Sequence, residues 1–194
     1  MKTGEAKQGR IRIIGGHYRR RLLEVAPRPG LRPTPDRVRE TLFNWLGKDL
    51  PGLACLDLFA GSGALGFEAA SRGAARVVMV EDDRDALAAL ERNRATLGAT
   101  RVEIVRGDAQ VWIARSREYF DVVFLDPPFR QNAVPALLQR LAPRLAPGAR
   151  VYAESEAPVE APAPWRELKR ARAGQVSYQL FEYGAANSEQ GETA

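Results

Sequence analysis

The sequence predicts an α/β protein. It should have a mostly parallel sheet of seven strands covered by helices on both faces, finished by an antiparallel hairpin and preceded by a small basic β-hairpin. Three observations lead to this. From Leu53 onward, short β-branched and aromatic runs alternate with segments of helical periodicity, the pattern of strands joined by crossover helices. Near the C-terminus the alternation stops, and Glu167–Ala173 and Val176–Tyr183 flank Gly174-Gln175, a hairpin signal. Residues 1–40 carry eleven basic side chains against four acids, a net +7, whereas the remaining 154 residues come to −2.

Taken in order, residues 1–9 read as a disordered tail and residues 10–33 as a basic hairpin with a linker. Arg10–Ile14 and Arg21–Val25 flank Gly15-Gly16-His17-Tyr18, two short strands around a glycine turn. The linker, Pro27 to Pro35, is rich in Pro and Gly. Residues 34–184 form the main domain. Its first helix, within 34–50, is capped by Thr34 with Pro35 at the first helical position, and Val38, Leu42, Phe43, Trp45 and Leu46 follow at helical spacing. Strands are expected at 53–59, Arg76–Glu81, Val102–Val105, the run ending at Leu125, and Arg150–Glu154. Helices are expected at Gly63–Arg72, Asp83–Leu97, Ala109–Arg117 and Ala133–Leu145. Residues 185–194 are small and polar and read as a second disordered tail.

Bulk properties narrow the classes. A chain of 194 residues buries a core without staples. Cys55 is the only cysteine and His17 the only histidine, so no internal disulfide and no Cys/His metal cluster is expected. Cys55 sits in an apolar run as a small core residue. No apolar stretch approaches membrane-spanning length and the N-terminus is not signal-like, so a cytoplasmic protein is expected, with nothing that demands more than a monomer. The cationic N-terminal arm suggests a polyanionic partner.

The chemistry gathers at the strand ends. Leu56-Asp57-Leu58-Phe59-Ala60-Gly61-Ser62-Gly63-Ala64-Leu65-Gly66 turns from strand to helix, and its glycines satisfy G-x-G-x-x-G, with Glu81 twenty residues after Gly61. That pattern is also a dinucleotide fingerprint. However, Asp57, Glu81, Asp108 and Asp126 end successive strands, and such a ring of acids suits a cation better than a pyrophosphate. S-adenosylmethionine fits, with a sulfonium, an ammonium, two ribose hydroxyls and no phosphate. Gly61 and Gly63, with Phe59 and Ser62 in the same turn, would let the backbone approach its methionine part. Asp57 would meet the ammonium. Glu81, with Asp82 beside it, would accept both ribose hydroxyls, and Asp108-Ala109 would take the adenine amine. Asp108 reads equally well as a helix N-cap. Asp126-Pro127-Pro128-Phe129 follows the buried run Asp121–Leu125. It sets a carboxylate, a restrained carbonyl and an aromatic face together at the edge where α/β sheets bind ligands, although an Asp-Pro turn packed on the sheet would look the same.

With these residues in place the chain resembles the RsmD family of bacterial methyltransferases, over about Arg10 to Tyr183. The resemblance is carried by Arg12-Ile13-Ile14-Gly15-Gly16, by Gly30-Leu31-Arg32-Pro33-Thr34 with Asp36 to Leu46, by Leu56 to Gly66 with Ser71-Arg72-Gly73-Ala74, and by Phe124 to Phe129. It implies a Rossmann-like class I fold and S-adenosylmethionine as cofactor. The implied reaction is methylation of the exocyclic N2 amine of guanine 966 in 16S rRNA, on an assembled or nearly assembled 30S subunit. It also implies that Thr34 and Arg37 hold the methionine carboxylate and that the hairpin meets RNA. Arg10, Arg12, Arg19, Arg20 and Arg21 would grip phosphates, while His17 either stacks on a base or shields the hairpin. Relatives often have Arg-Gly-Arg where this chain has Arg19-Arg20-Arg21, which puts the turn's geometry in question. Asp126 and the Pro127 carbonyl would accept the amine's hydrogens, with Phe129 stacked on the base and no metal required. The rivals are an adenine-N6 or protein-amide methyltransferase, a non-catalytic RNA-binding protein of the same fold, and an NAD oxidoreductase.

Overall fold

The computed structural model describes residues 9–27, 34–128 and 133–184. A two-stranded antiparallel sheet pairs β1 (Gly9–Arg12) with β2 (Leu22–Val25). The main sheet holds β3 (Ala54–Asp57), β4 (Arg76–Glu81), β5 (Val102–Arg106), β6 (Phe120–Leu125), β7 (Leu145–Ser155), β8 (Trp165–Ala173) and β9 (Val176–Tyr183), in the order β5-β4-β3-β6-β7-β9-β8. Strands β3 to β7 pair in parallel, and β9 runs antiparallel to both β7 and β8. The helices are α1 (Asp36–Trp45), α2 (Ala64–Ser71), α3 (Arg84–Leu97), α4 (Ala109–Arg115) and α5 (Ala133–Leu141). The chain steps outward from β3 in both directions, so a crevice opens between the carboxyl ends of β3 and β6.

Alternation along each strand divides the core into two layers. Cys55, Val77, Met79, Phe124 and Tyr152 pack toward α1, α2, α3 and the hairpin. Leu56, Val78, Val80, Val123 and Val151 pack toward α4 and α5.

Several boundaries differ from expectation for local reasons. The first strand of the main sheet spans Ala54–Asp57 and not 53–59. Helix α5 stops at Leu141, not Leu145, because Pro143 lacks a donor N–H; a single 3-10 turn follows and β7 begins at Leu145. Four residues then bulge out, since Leu145 pairs with Phe120 and Arg150 with Val122. Thr34 does not cap α1. Pro35 is the N-cap, and the Thr34 hydroxyl instead donates to Glu154 Oε1 at 3.2 Å. Asp83 does cap α3, accepting from the N–H groups of Asp85 and Ala86. Gly9, expected in the tail, opens β1. The remaining tail residues, 1–8 and 185–194, lie outside the described residues, as does linker segment 28–33.

Gly15-Gly16 is less a turn than a joint. The N–H groups of Ile14 and Gly15 donate to the Glu68 carboxylate, each at 2.8 Å, and that of His17 donates to the Ser71 carbonyl at 2.7 Å. A Cβ on Gly16 would lie 1.9 Å from the Ser71 oxygen, so only glycine lets the hairpin meet the end of α2. The reversal itself falls at Tyr18–Arg21, where the Arg21 N–H donates to the Tyr18 carbonyl and Arg20 takes a φ of 69°. Arg20, where the resemblance suggests glycine, thus keeps a left-handed backbone. That conformation costs a non-glycine residue about 1–2 kcal/mol, partly offset by the greater unfolded-state entropy of glycine. Arg20→Gly should therefore raise the urea midpoint by the equivalent of about 0.5–1 kcal/mol; a lower midpoint would contradict the strained reading of the turn.

Candidate active site

Four strands carry acids at or beside their carboxyl ends, on one face. Cys55, Met79, Phe124 and Tyr152 point into the layer beneath α1, α2 and α3. The residue two further along each strand, at the same parity, is Asp57, Glu81, Asp126 and Glu154 respectively. All four carboxyls thus gather at the carboxyl edge, on the side from which the glycine loop enters α2.

Two of them organise that loop. Asp57 Oδ2 accepts from the Gly66 N–H at 2.9 Å, and Glu81 Oε2 accepts from the Gly61 N–H at 2.7 Å. Glu81 Oε1 also takes the N–H groups of Asp82 and Asp83. A Cβ on Gly63 would meet Leu90 at 2.5 Å, and one on Gly66 would meet Met79 at 2.4 Å. Gly63 is therefore needed for the packing of α2 against its neighbours, where the sequence suggested room for a ligand.

Burial and neighbouring acids raise the pKa values of these carboxyls. The Asp57 carboxyl is pushed up to about 7, first by burial and then by Glu81, against the pull of the Gly66 N–H. Asp126 is raised well above the carboxylate range by burial, by Glu154 and by Asp57. Glu81 and Glu154 are also raised, chiefly by burial. What lowers Asp57 and Glu154 is N–H and O–H donors, and among the described residues no cationic side chain lowers Asp57, Asp126 or Glu154. A cluster of carboxyls short of positive charge is a site for a cationic ligand. It is a poor site for a pyrophosphate. The donor set therefore fits S-adenosylmethionine. Cys55, buried and pushed up to about 12, is no nucleophile.

The other expected residues scatter more. Pro127 is buried beside Asp126, and Phe129 lies outside the described residues. Phe59 is half-buried against the α4–α5 layer, and Ser62 Oγ accepts from the Ala64 N–H at 3.4 Å. Asp82 is exposed beside Glu81. Asp108 caps α4, accepting from the Val111 N–H at 2.9 Å, and Ala109 is buried. Arg37 is exposed on α1. Thr34 has a single O–H proton and gives it to Glu154. It therefore cannot also donate to a methionine carboxylate in this arrangement.

Arg10, Arg12, His17, Arg19, Arg20 and Arg21 are exposed. Arg12 pairs with Asp36 at 3.4 Å, and Arg21 Nη2 donates to the Thr96 carbonyl at 2.9 Å. Thr96 lies thirteen residues along α3 from its cap Asp83, so the Arg19–Arg21 turn sits about 20 Å from the carboxyl edge.

Two residues of the site were not singled out from sequence. Glu154, and Tyr152 whose hydroxyl donates to it at 2.8 Å, stand next to Asp126 across the β6–β7 pairing. The signal was present: Glu154 closes the apolar run Val151–Ala153 as the other three acids close theirs.

A sheet of this order, with a glycine loop after β3 and acids at the strand ends, is the Rossmann-like fold of the class I S-adenosylmethionine-dependent methyltransferases. A family profile described as "Conserved hypothetical protein 95" matches residues 11–182. "Ribosomal RNA small subunit methyltransferase D" of Escherichia coli is 45% identical over 188 residues, covering 93% of this chain and 94% of that protein. The Haemophilus influenzae protein of the same name is 42% identical, covering 94% and 98%. The solved Escherichia coli protein yhhF superposes with a TM-score of 0.83 at 46% identity, covering 92% of this chain and all of that one. An RNA methyltransferase from Salinibacter ruber, solved with S-adenosyl-L-homocysteine, shares the fold at 22% identity and a TM-score of 0.63, over 82% of this chain and 98% of that one. The chain belongs to the RsmD family.

Proposed function

We propose that this protein transfers a methyl group from S-adenosylmethionine to the exocyclic N2 amine of one guanine in small-subunit rRNA, the position that the family resemblance gives as 966. The observation that carries this reading is the cation-seeking face of Asp57, Glu81, Asp126 and Glu154 beside Asp126-Pro127-Pro128, in a chain whose full-length relatives are named rRNA methyltransferases.

Guanine N2 is a weak nucleophile because its lone pair is delocalised into the ring. Bound S-adenosylmethionine supplies the electrophilic methyl group. Asp126 and the Pro127 carbonyl accept the amine's two hydrogens and favour its pyramidal form, and Phe129 offers the base a stacking face. Asp57, Glu81, Asp82, Asp108 with Ala109, and the turn of Phe59, Gly61, Ser62 and Gly63 hold the cofactor, with Arg37 for its carboxylate. Fixed alignment of the reacting atoms removes much of the remaining barrier.

Arg10, Arg12, His17, Arg19, Arg20 and Arg21 contact RNA phosphates and bases. An RNA that touches both the basic turn and the pocket must span about 20 Å, which favours a folded surface such as the 30S subunit over a short single strand. The protein acts as a monomer in the cytoplasm, where that particle is assembled.

The test is transfer of labelled methyl groups to 30S subunits lacking the modification, with naked 16S rRNA in parallel and the product mapped by nucleotide. One N2-methylguanine on the particle is the expected result. Modification of adenine or of protein amides instead would overturn the substrate assignment.

A further inference from the structure

Glu154 has no role of its own in the reaction described so far, yet two hydroxyls hold it beside Asp126. Leu125 pairs with Ala153 across β6 and β7, so the next residues, Asp126 and Glu154, stand in neighbouring register about 5 Å apart at the backbone. Both hydroxyl donors to Glu154 converge on one oxygen, Oε1: Tyr152 at 2.8 Å from the same strand and Thr34 at 3.2 Å from the entry to α1. Hydrogen bonds given to a carboxylate favour its charged form. Among the described residues no donor is given to Asp126.

We propose that Glu154 is a positioning residue of the methyl-transfer site: Thr34 and Tyr152 fix its carboxylate beside Asp126, so that the empty pair holds one proton, biased onto Asp126, until a cation enters. The inference rests on the cofactor reading above.

Two carboxyls in adjacent register, Glu154 buried and Asp126 partly so, do not both ionise readily. The charged and titratable groups around the pair are Asp57 from β3, with Glu81 behind it, Tyr152 on β7 and Tyr178 from β9. None is a cation, so nothing within this set discharges the pair. A sulfonium and an ammonium entering the pocket do: the Asp126 O–H bond breaks, its electrons stay on oxygen and the proton passes to solvent. The hydrogen-bond acceptor for the target amine is thus created by the arrival of the methyl donor. Raised Asp126 and Glu154 pKa values agree with this, burial being the largest cause for both.

The test counts protons released when S-adenosylmethionine binds the full-length protein, by calorimetry in buffers of different ionisation enthalpy, as a function of pH. The wild type should release up to about one proton from the pair. Asp57 adds its own contribution, common to all variants. Glu154→Gln removes the neighbouring charge, so the release profile should move to lower pH by about one unit or more. Tyr152→Phe leaves the Glu154 charge in place, and the Asp126-protonated and fully ionised forms lose the donor equally, so the profile should stay where it is or rise as the proton is shared with Glu154. A Glu154→Gln profile that does not move, or a Tyr152→Phe profile that falls with it, overturns the proposal. If Glu154→Gln does not fold, a Tyr152→Phe profile that falls does so alone. A wild type that binds no S-adenosylmethionine overturns the cofactor reading instead, and this inference with it.

Discussion

Asp126→Ala should lower the rate of methyl transfer by about 10²–10⁴ while the variant still binds S-adenosylmethionine. The loss arises because the amine's hydrogens find no acceptor as nitrogen turns its lone pair toward the methyl group. Cofactor contacts through Asp57, Glu81 and the glycine loop are untouched by the change. Stability should move the other way. The folded-state pKa of Asp126 is raised, so the native state binds more protons than the unfolded state between the ordinary carboxylate pKa and the raised one. In that window stability falls as pH rises. Asp57 acts in the same sense up to about pH 7. Alanine at position 126 removes one of these penalties, so the ligand-free variant should melt higher than wild type at neutral pH and show little advantage at acid pH. Single-turnover transfer, cofactor titration and melting at two pH values check the three parts. Near-normal turnover would remove Asp126 from its assigned role. A uniform loss of stability would contradict the buried-acid account.

The sheet was legible because its signals are local. Strand β4 falls where β-branched alternation places it, α3 keeps its expected end at Leu97 and starts one residue later than expected, and β9 matches its expected bounds. Three of the four clustered acids were legible for the same reason, each ending an apolar strand. The misreadings share a different cause. Thr34 followed by Pro35 looks like a cap, but its hydroxyl is claimed by Glu154, 120 residues away in the chain. Gly15-Gly16 looks like a turn, but is shaped by contact with Ser71 on α2. The eleven basic residues of the first forty look like one exposed cationic arm, but in the fold Arg39 is buried against Asp36 and Glu68. In each case a partner distant in sequence decided the role.

That last network sets up the largest stability effect expected in the molecule. Glu68 is fully buried on α2 and accepts from the Ile14 and Gly15 N–H groups at 2.8 Å each, and from Arg72 Nε at 2.9 Å. Arg39 Nη1, also fully buried, stands 3.5 Å from its other oxygen. Arg39 in turn donates to the Arg12 carbonyl, and Arg72 lies over the Phe43 ring while donating to the Lys48 carbonyl. One carboxylate therefore joins the hairpin, α1 and α2. Arg39 already has two nitrogens, Nε and Nη1, without a hydrogen-bond partner, so Glu68 and Asp36 together supply the Coulomb attraction that holds it. Glu68→Ala would leave Arg72 without its carboxylate, Arg39 with Asp36 alone, and two backbone donors unpaired. Breaking a buried pair by removing one partner costs about 3–5 kcal/mol, equivalent to a fall in Tm of roughly 10 °C for a domain of this size. Hydrogen exchange should report the loss first at Ile14, Gly15 and His17, because the joint between hairpin and α2 loses its acceptor. Glu68→Gln keeps one oxygen for the N–H groups but not the charge, and should fall between wild type and alanine. A change of less than about 1 kcal/mol in Glu68→Ala would mean that the hairpin is held by its apolar contacts, Ile11, Ile13, Leu23 and Val25, and not by this carboxylate.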